Sequence, residues 1–136
     1  MIKNSVSCLV VYKDQLLLVL ENQSGEVLWD IPAGGIEVDE TPFQAVAREV
    51  KEETGIVADS ALFSLVSELE KNDGSTHYLF ELYVNDADTT LSPEDPDILK
   101  AEFKNQEFVA KMIENKKYEH ELAKKRLLYF MKNYGK

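Results

Sequence analysis

The sequence predicts an α/β domain with strands covered by helices on both faces. Three observations carry that expectation: β-rich apolar runs joined by short polar turns, a central helix with start and stop signals, and an amphipathic C-terminal stretch. Residues 5–12 and 15–21 are β-rich runs meeting at Lys13-Asp14, a hairpin turn. Residues 29–31 form a short extended piece entering a turn at Pro32. Thr41-Pro42-Phe43-Gln44 reads as a capping box: Thr41 is the N-cap, Pro42 takes the first helical position where no N–H is needed, and Gln44 reaches back. Gly55 ends that helix. At about 100° per residue, Phe43, Val46, Ala47 and Val50 fall on one apolar stripe. Residues 61–70 and 76–84 are strands flanking Asn72-Asp73-Gly74, a turn in which Gly74 supplies a positive φ. Residues 85–97, acidic and containing Pro93 and Pro96, read as an exposed loop, and 99–103 as a short strand. Asn105 caps a helix over 106–114, and 118–132 is helical, with Leu122, Arg126, Leu127, Tyr129 and Phe130 in a broad amphipathic pattern.

The 136 residues fit one domain, 1–136, and 44% hydrophobic content is enough for a single core. No apolar run has membrane-spanning length, and Met1-Ile2-Lys3-Asn4 leads directly into strand-like sequence, so a cytoplasmic protein with no membrane partner is expected. The lone Cys8, in an apolar strand, is core filling rather than half of a disulfide. A net charge of −10 argues against direct nucleic-acid binding. An anionic ligand must then be received through a metal and a few local cations.

Glu49, Glu52 and Glu53 stand at i, i+3 and i+4, neighbours on one side of the central helix. Like charges at that spacing cost about 0.2–0.5 kcal/mol per pair, and Glu52 and Glu53 also oppose the negative end of the helix dipole. Two carboxylates ~5 Å apart repel by ~3 kcal/mol at an effective dielectric near 20, and a divalent ion between them reverses the sign. Magnesium, with manganese as a substitute, suits such oxygen ligands. Three glutamates alone more often describe a solvated helix face; the spacing around them decides.

Gly34, Glu40, Arg48-Glu49-Val50-Lys51-Glu52-Glu53-Thr54-Gly55-Ile56, at these intervals, resembles the signature of the Nudix hydrolase superfamily without a departure. The lead-in Leu28-Trp29-Asp30-Ile31-Pro32-Ala33-Gly34-Gly35 resembles it as well. The resemblance implies an α/β/α sandwich with a mixed sheet between helices, and a magnesium-dependent enzyme that splits a phosphoanhydride of a nucleoside diphosphate linked to another moiety. It makes Glu49 and Glu53 the principal metal ligands, Glu52 a ligand or the general base, and the Gly34 backbone carbonyl a further ligand. Arg48 becomes the organiser of the carboxylates, while Glu40 ties loop to helix and Gly55 is structural. Many relatives add an acidic residue from the C-terminal third; Glu102 is the positional candidate here, Asp97 the second, and Phe103 stands where relatives often carry Trp. Trp29, Tyr12, Tyr78 and Phe80 are available to stack on a base for ~1–3 kcal/mol, although such residues are more often core. His77 and His120 show no partner in sequence and are read as surface or structural. Ile31-Pro32-Ala33-Gly34-Gly35-Ile36-Glu37 resembles a variant found in low-specificity nucleotide phosphatases and favours a nucleoside tri- or diphosphate. ADP-ribose or a nucleotide sugar is the alternative substrate class. A non-catalytic nucleotide-sensing module and a metal-stabilised structural domain are the alternatives outside catalysis. The partner expected is a small-molecule nucleotide, and the chain a monomer or homodimer.

Overall fold

Cys8-Leu9-Val10-Val11 is an apolar run without alternation, as expected of a strand covered on both faces. In the computed structural model, which describes residues 3–85, 91–118 and 121–135, this run lies in β1 (Ser5–Tyr12), with every residue from Val6 to Val11 buried. A tight turn with Lys13 in the left-handed region leads to β2 (Gln15–Gln23). A second hairpin, in which Ser24 and Gly25 have positive φ and the Asn22 side chain accepts from the Gly25 amide, leads to β3 (Glu26–Asp30). The expected extended piece at 29–31 is thus the end of a full strand, whose Ser-Gly turn signal is easily passed over. After Pro32 the short β4 (Ala33–Gly35) follows. The remaining strands are β5 (Ser64–Glu70), β6 (Thr76–Tyr83) and β7 (Ile98–Lys104).

The seven-stranded sheet is mixed: β1 and β6 run parallel, and the other pairs are antiparallel. Its centre is forked. Leu16 pairs with both Val11 and Lys104, and Val19 with both Asp30 and Ala101, so β7 takes one edge of β2 while β1 and β3 share the other. On β1, Ser5–Ser7 pair with β4 on one edge and with β6 on the other. Where β1 and β2 diverge, residues 26–35 are therefore wedged between them.

Helix α1 (Pro42–Thr54) covers one face and α2 (Gln106–Glu114) with α3 (Glu121–Tyr134) the other. Strand alternation sends Val6, Cys8, Val10, Leu17 and Val19 toward Val46 and Val50 of α1. It sends Leu9, Val11, Leu16 and Leu18 toward Val109, Met112, Leu127 and Phe130. The α/β/α sandwich is as expected. The α1 stripe differs in detail, because Ala45, Val46, Val50, Glu53 and Thr54 are the buried residues. Phe43 stays 39% exposed and meets Phe80 edge-on at 4.8 Å. Strand β5 begins later than expected because Asp59 accepts from the Ala61 amide and turns Ser60–Leu62 into a 3-10 helix, a local bond that competes with extension. A similar 3-10 turn at Lys116–Tyr118 precedes α3, which runs to Tyr134. Among the described residues no helix is long and apolar enough to cross a membrane.

Candidate active site

The first turn of α1 is built as its sequence demands. Thr41 Oγ1 accepts from the Gln44 amide at 3.1 Å and Gln44 Oε1 accepts from the Thr41 amide at 2.9 Å. Gly55, at φ 85°, closes the helix by donating to the Lys51 carbonyl. Orphan carbonyls at that end find partners in the acidic loop: Ser92 donates to Thr54 O, and the Glu94 and Asp95 amides both donate to Glu52 O. A Cβ on Gly55 would lie 2.7 Å from the Ser92 backbone, so glycine here serves both the turn and the loop. A cavity of about 340 Å3 opens between Glu52, Glu94, Asp95 and Pro96.

Arg48 gathers the carboxylates. Its Nε and Nη2 donate to the two oxygens of Glu40 at 2.7 and 3.0 Å, the fork geometry that makes arginine–carboxylate pairs strong. Nη1 donates to Glu49 at 2.9 Å and to Glu52 at 3.3 Å, and Nη2 also reaches the Gly35 carbonyl at 2.9 Å. Glu40 in turn accepts from the Glu37 amide at 3.0 Å. Its bond to Arg48, with that amide and the Arg48 and Lys3 charges, holds its carboxyl below the usual range against the opposing effect of partial burial, and Arg48 is driven further toward its charged form, chiefly by Glu40.

Glu49 lies against β4: any side chain at Gly34 would overlap the Glu49 carboxylate. Seven residues after Val46, Glu53 projects within about 20° of it and is only 3% exposed. Its Oε1 is 3.5 Å from the Ala33 amide. Burial first, then a hydrogen bond to Glu49 and the charges of Glu49 and Glu21, push its carboxyl well above the carboxylate range. A buried carboxyl thus stands against a second acidic side chain in a sheltered site, an arrangement a cation relieves. Among the described residues no three acidic, histidine or cysteine side chains are grouped closely enough to hold a metal ion by themselves.

Residues 1–125 match the NUDIX domain model. The chain belongs to the Nudix family. Over 59 residues it is 46% identical to the phosphatase NudJ of Escherichia coli K12, a stretch covering 43% of this chain and 39% of that one, so the match spans about two fifths of the curated relative. A NUDIX-family hydrolase from Clostridium perfringens superposes with a TM-score of 0.68 at 19% identity, covering 98% of this chain and 97% of that one. The NUDIX domain of Shewanella oneidensis NrtR, crystallised with ADP ribose, gives 0.68 at 17% identity, covering 82% and 77%. These two likenesses are of fold.

Around the Nudix box the structure sorts the remaining candidates by sheet face. Glu102 pairs with Leu18 on β2, which points to the α2/α3 side, and is held by Lys100 at 3.1 Å and Lys104 at 3.7 Å. Those lysines, Lys100 foremost, keep its carboxyl below its ordinary range. Glu102 is therefore not a partner of Glu49 and Glu53, which lie across the sheet. Strand parity was the cause: Ala101 and Phe103 face α1, as does Ile98 beyond the bulge that leaves Leu99 exposed, and Glu102 falls between them on the other side. Glu21 does reach the site. It follows Leu17 and Val19 at period two on the α1 face, and its charge raises Glu53. Its own carboxyl is raised by burial and by Asp30, Asp95 and Asp97, against a 3.0 Å bond from Gln23. The parity of that strand was the available signal.

Trp29 is also on the α2/α3 side, edge-on to Phe108 at 5.8 Å with Lys104 Nζ 4.4 Å from its ring centroid. Tyr12 packs against Phe103 at 5.9 Å. It ends β1, five residues or ~17 Å beyond Ser7, the last residue pairing with β4. Neither lies with the carboxylates. Tyr78, packed on the α1 side, neighbours Val6, which pairs with Gly34 on its other edge. Phe80 is core. His77 is buried, with Ser5 Oγ 2.7 Å from Nδ1 and Ser7 Oγ 2.6 Å from Nε2. Burial, then the charges of Arg126 and Lys71, push it down to about 4. His120 lies outside the described residues.

Proposed function

We propose that this Nudix protein hydrolyses a phosphoanhydride bond of a nucleotide with the help of a divalent cation, magnesium or in its place manganese. The observation that carries the reading is the packing of Glu49 onto Gly34 with the buried Glu53 beside it. Glu49, Glu53 and the Gly34 carbonyl would hold the ion. Once bound, it supplies Lewis-acid neutralisation of the phosphate oxygens. Arg48 keeps Glu49 and Glu52 in fixed rotamers while its own charge is spent on Glu40, Glu49 and Glu52. Glu52, 42% exposed and beside the Asp95 cavity, is the carboxylate best placed to take a proton from water as that water attacks phosphorus and the anhydride P–O bond breaks.

A nucleoside tri- or diphosphate is the substrate class first expected; the 59-residue match to a phosphatase supports it. The ADP-ribose complex of a fold neighbour supports ADP-ribose or a nucleotide sugar as the second. A sensing module without turnover is less favoured, since all three box glutamates are present. Incubation with magnesium and a set of nucleoside tri- and diphosphates, nucleotide sugars, ADP-ribose and dinucleoside polyphosphates, with chromatography of the products, is the test. Cleavage that EDTA abolishes is expected. Binding without turnover across the whole set, with either metal, would replace the enzyme by the sensor.

A further inference from the structure

We propose that Arg126 of α3 is a positioning residue for the carboxylate site across the sheet: paired with Asp30, it anchors the segment that delivers Ala33 and Gly34 to Glu53 and Glu49. This deepens the metal-binding reading given above and rests on it. Arg126 is 6% exposed, its Nη2 donates to Asp30 Oδ1 at 3.1 Å, and its Nε has no hydrogen-bond partner among the described residues. As a source of stability this is a poor arrangement. A buried ion pair is often no better than apolar side chains of the same size, and an unpartnered buried donor adds a penalty. As a source of geometry it is well placed. The same Asp30 oxygen accepts from the Ile31 amide at 2.8 Å, and the Tyr118 hydroxyl donates to the Trp29 carbonyl, so the C-terminal segment holds two successive residues at the end of β3.

Only Ile31 and Pro32 separate Asp30 from Ala33. Ile31 is buried in the α2/α3 cluster, Pro32 has a fixed φ, and its carbonyl accepts from the Cys8 amide at 3.0 Å. A shift at Asp30 has little slack in which to be absorbed before it reaches Gly34. From the other side the same turn is gripped by Arg48 Nη2 on the Gly35 carbonyl and by Glu49 packed on Gly34. One arginine on each face of the sheet thus fixes the wedge, and Arg126 is the one outside the signature.

The test is thermal unfolding of the full chain against magnesium chloride alone, with no nucleotide. For wild type, the melting temperature is flat at low magnesium and climbs with the logarithm of its concentration above the dissociation constant, and the concentration at that onset is the magnesium midpoint. For R126M, which leaves the Asp30 carboxylate unpaired, the metal-free melting temperature falls, and the magnesium midpoint increases about tenfold, the scale of losing a group that orients a metal ligand. D30N shifts it in the same direction, R126K recovers part of the loss, and R126M/D30N is no weaker than either single variant because they break one interaction. A role confined to packing would move the metal-free melting temperature and leave the magnesium midpoint in place. A wild-type response with unshifted R126M and D30N midpoints overturns the proposal and leaves the metal site standing. No magnesium response in wild type overturns the metal site and the proposal with it. If R126M does not fold, the D30N midpoint decides.

Discussion

At the scale of single residues, the site's chemistry divides among its glutamates by burial. Glu53→Gln deletes a buried acid set against Glu49, so its metal-free stability is expected to match or exceed wild type, while magnesium no longer raises its melting temperature. Glu52→Gln leaves the buried pair intact; its magnesium midpoint is expected to hold while kcat falls by about 10²–10⁴-fold, the range for a lost general base. Equal loss of metal response in both would make Glu52 a ligand instead. His77 makes a separate prediction in pH. Its folded pKa, about 4, lies below the ordinary 6.5, so the unfolded chain takes up the proton first as pH falls. Stability is then complete above about pH 6.5 and lost toward pH 4, by up to about 3 kcal/mol. Urea midpoints for wild type and His77→Asn across that window check it, the variant giving the shallower slope. Much of this scale was legible in advance: Gly34, Arg48, Glu49, Glu52 and Glu53 carry their spacing in the sequence. The partners of His77 were not, since Ser5 and Ser7 are about 70 residues away and meet it only through the parallel register of β1 and β6.

At the scale of elements, α1 was the most legible because its ends are written locally. Thr41→Ala removes the bond to the Gln44 amide and is expected to cost ~1 kcal/mol, with kinetics changed only through stability. An unchanged denaturation midpoint would contradict the role of that cap. Gly55→Ala is expected to cost more than Thr41→Ala, since it strains a positive φ and drives a methyl into the Ser92 backbone. What local signals could not tell was which face each strand residue takes. Glu102 and Trp29 looked plausible by position along the chain, yet the register of β7 and β3 on β2 turns both away from α1. Glu21, by the same parity, turns toward it. The helical turn at Ser60–Leu62 was hidden because an Asp59 side chain, rather than any hydrophobic period, sets it.

At the scale of the whole molecule, a chain of net charge −10 brings Glu21, Asp30, Asp95 and Asp97 near one another where the sheet forks. The fork admits residues 26–35 between β1 and β2, bringing Ala33 and Gly34 against α1 from one side while the acidic loop closes over the end of the helix from another. Three segments distant in sequence thereby meet around Glu53. The α/β/α layering was predictable from alternating apolar runs and amphipathic helices; the fork was not, because it depends on two strands sharing one edge of a third. We propose that Glu49 and Glu53 hold a divalent ion that makes this site hydrolytic. Phosphorus NMR of a nucleotide substrate chosen from the panel, at saturating magnesium, compares wild type with a Glu53→Gln variant shown to be folded. Anhydride cleavage by wild type and loss of most of it in the variant are expected; near-wild-type turnover by Glu53→Gln would contradict the metal site.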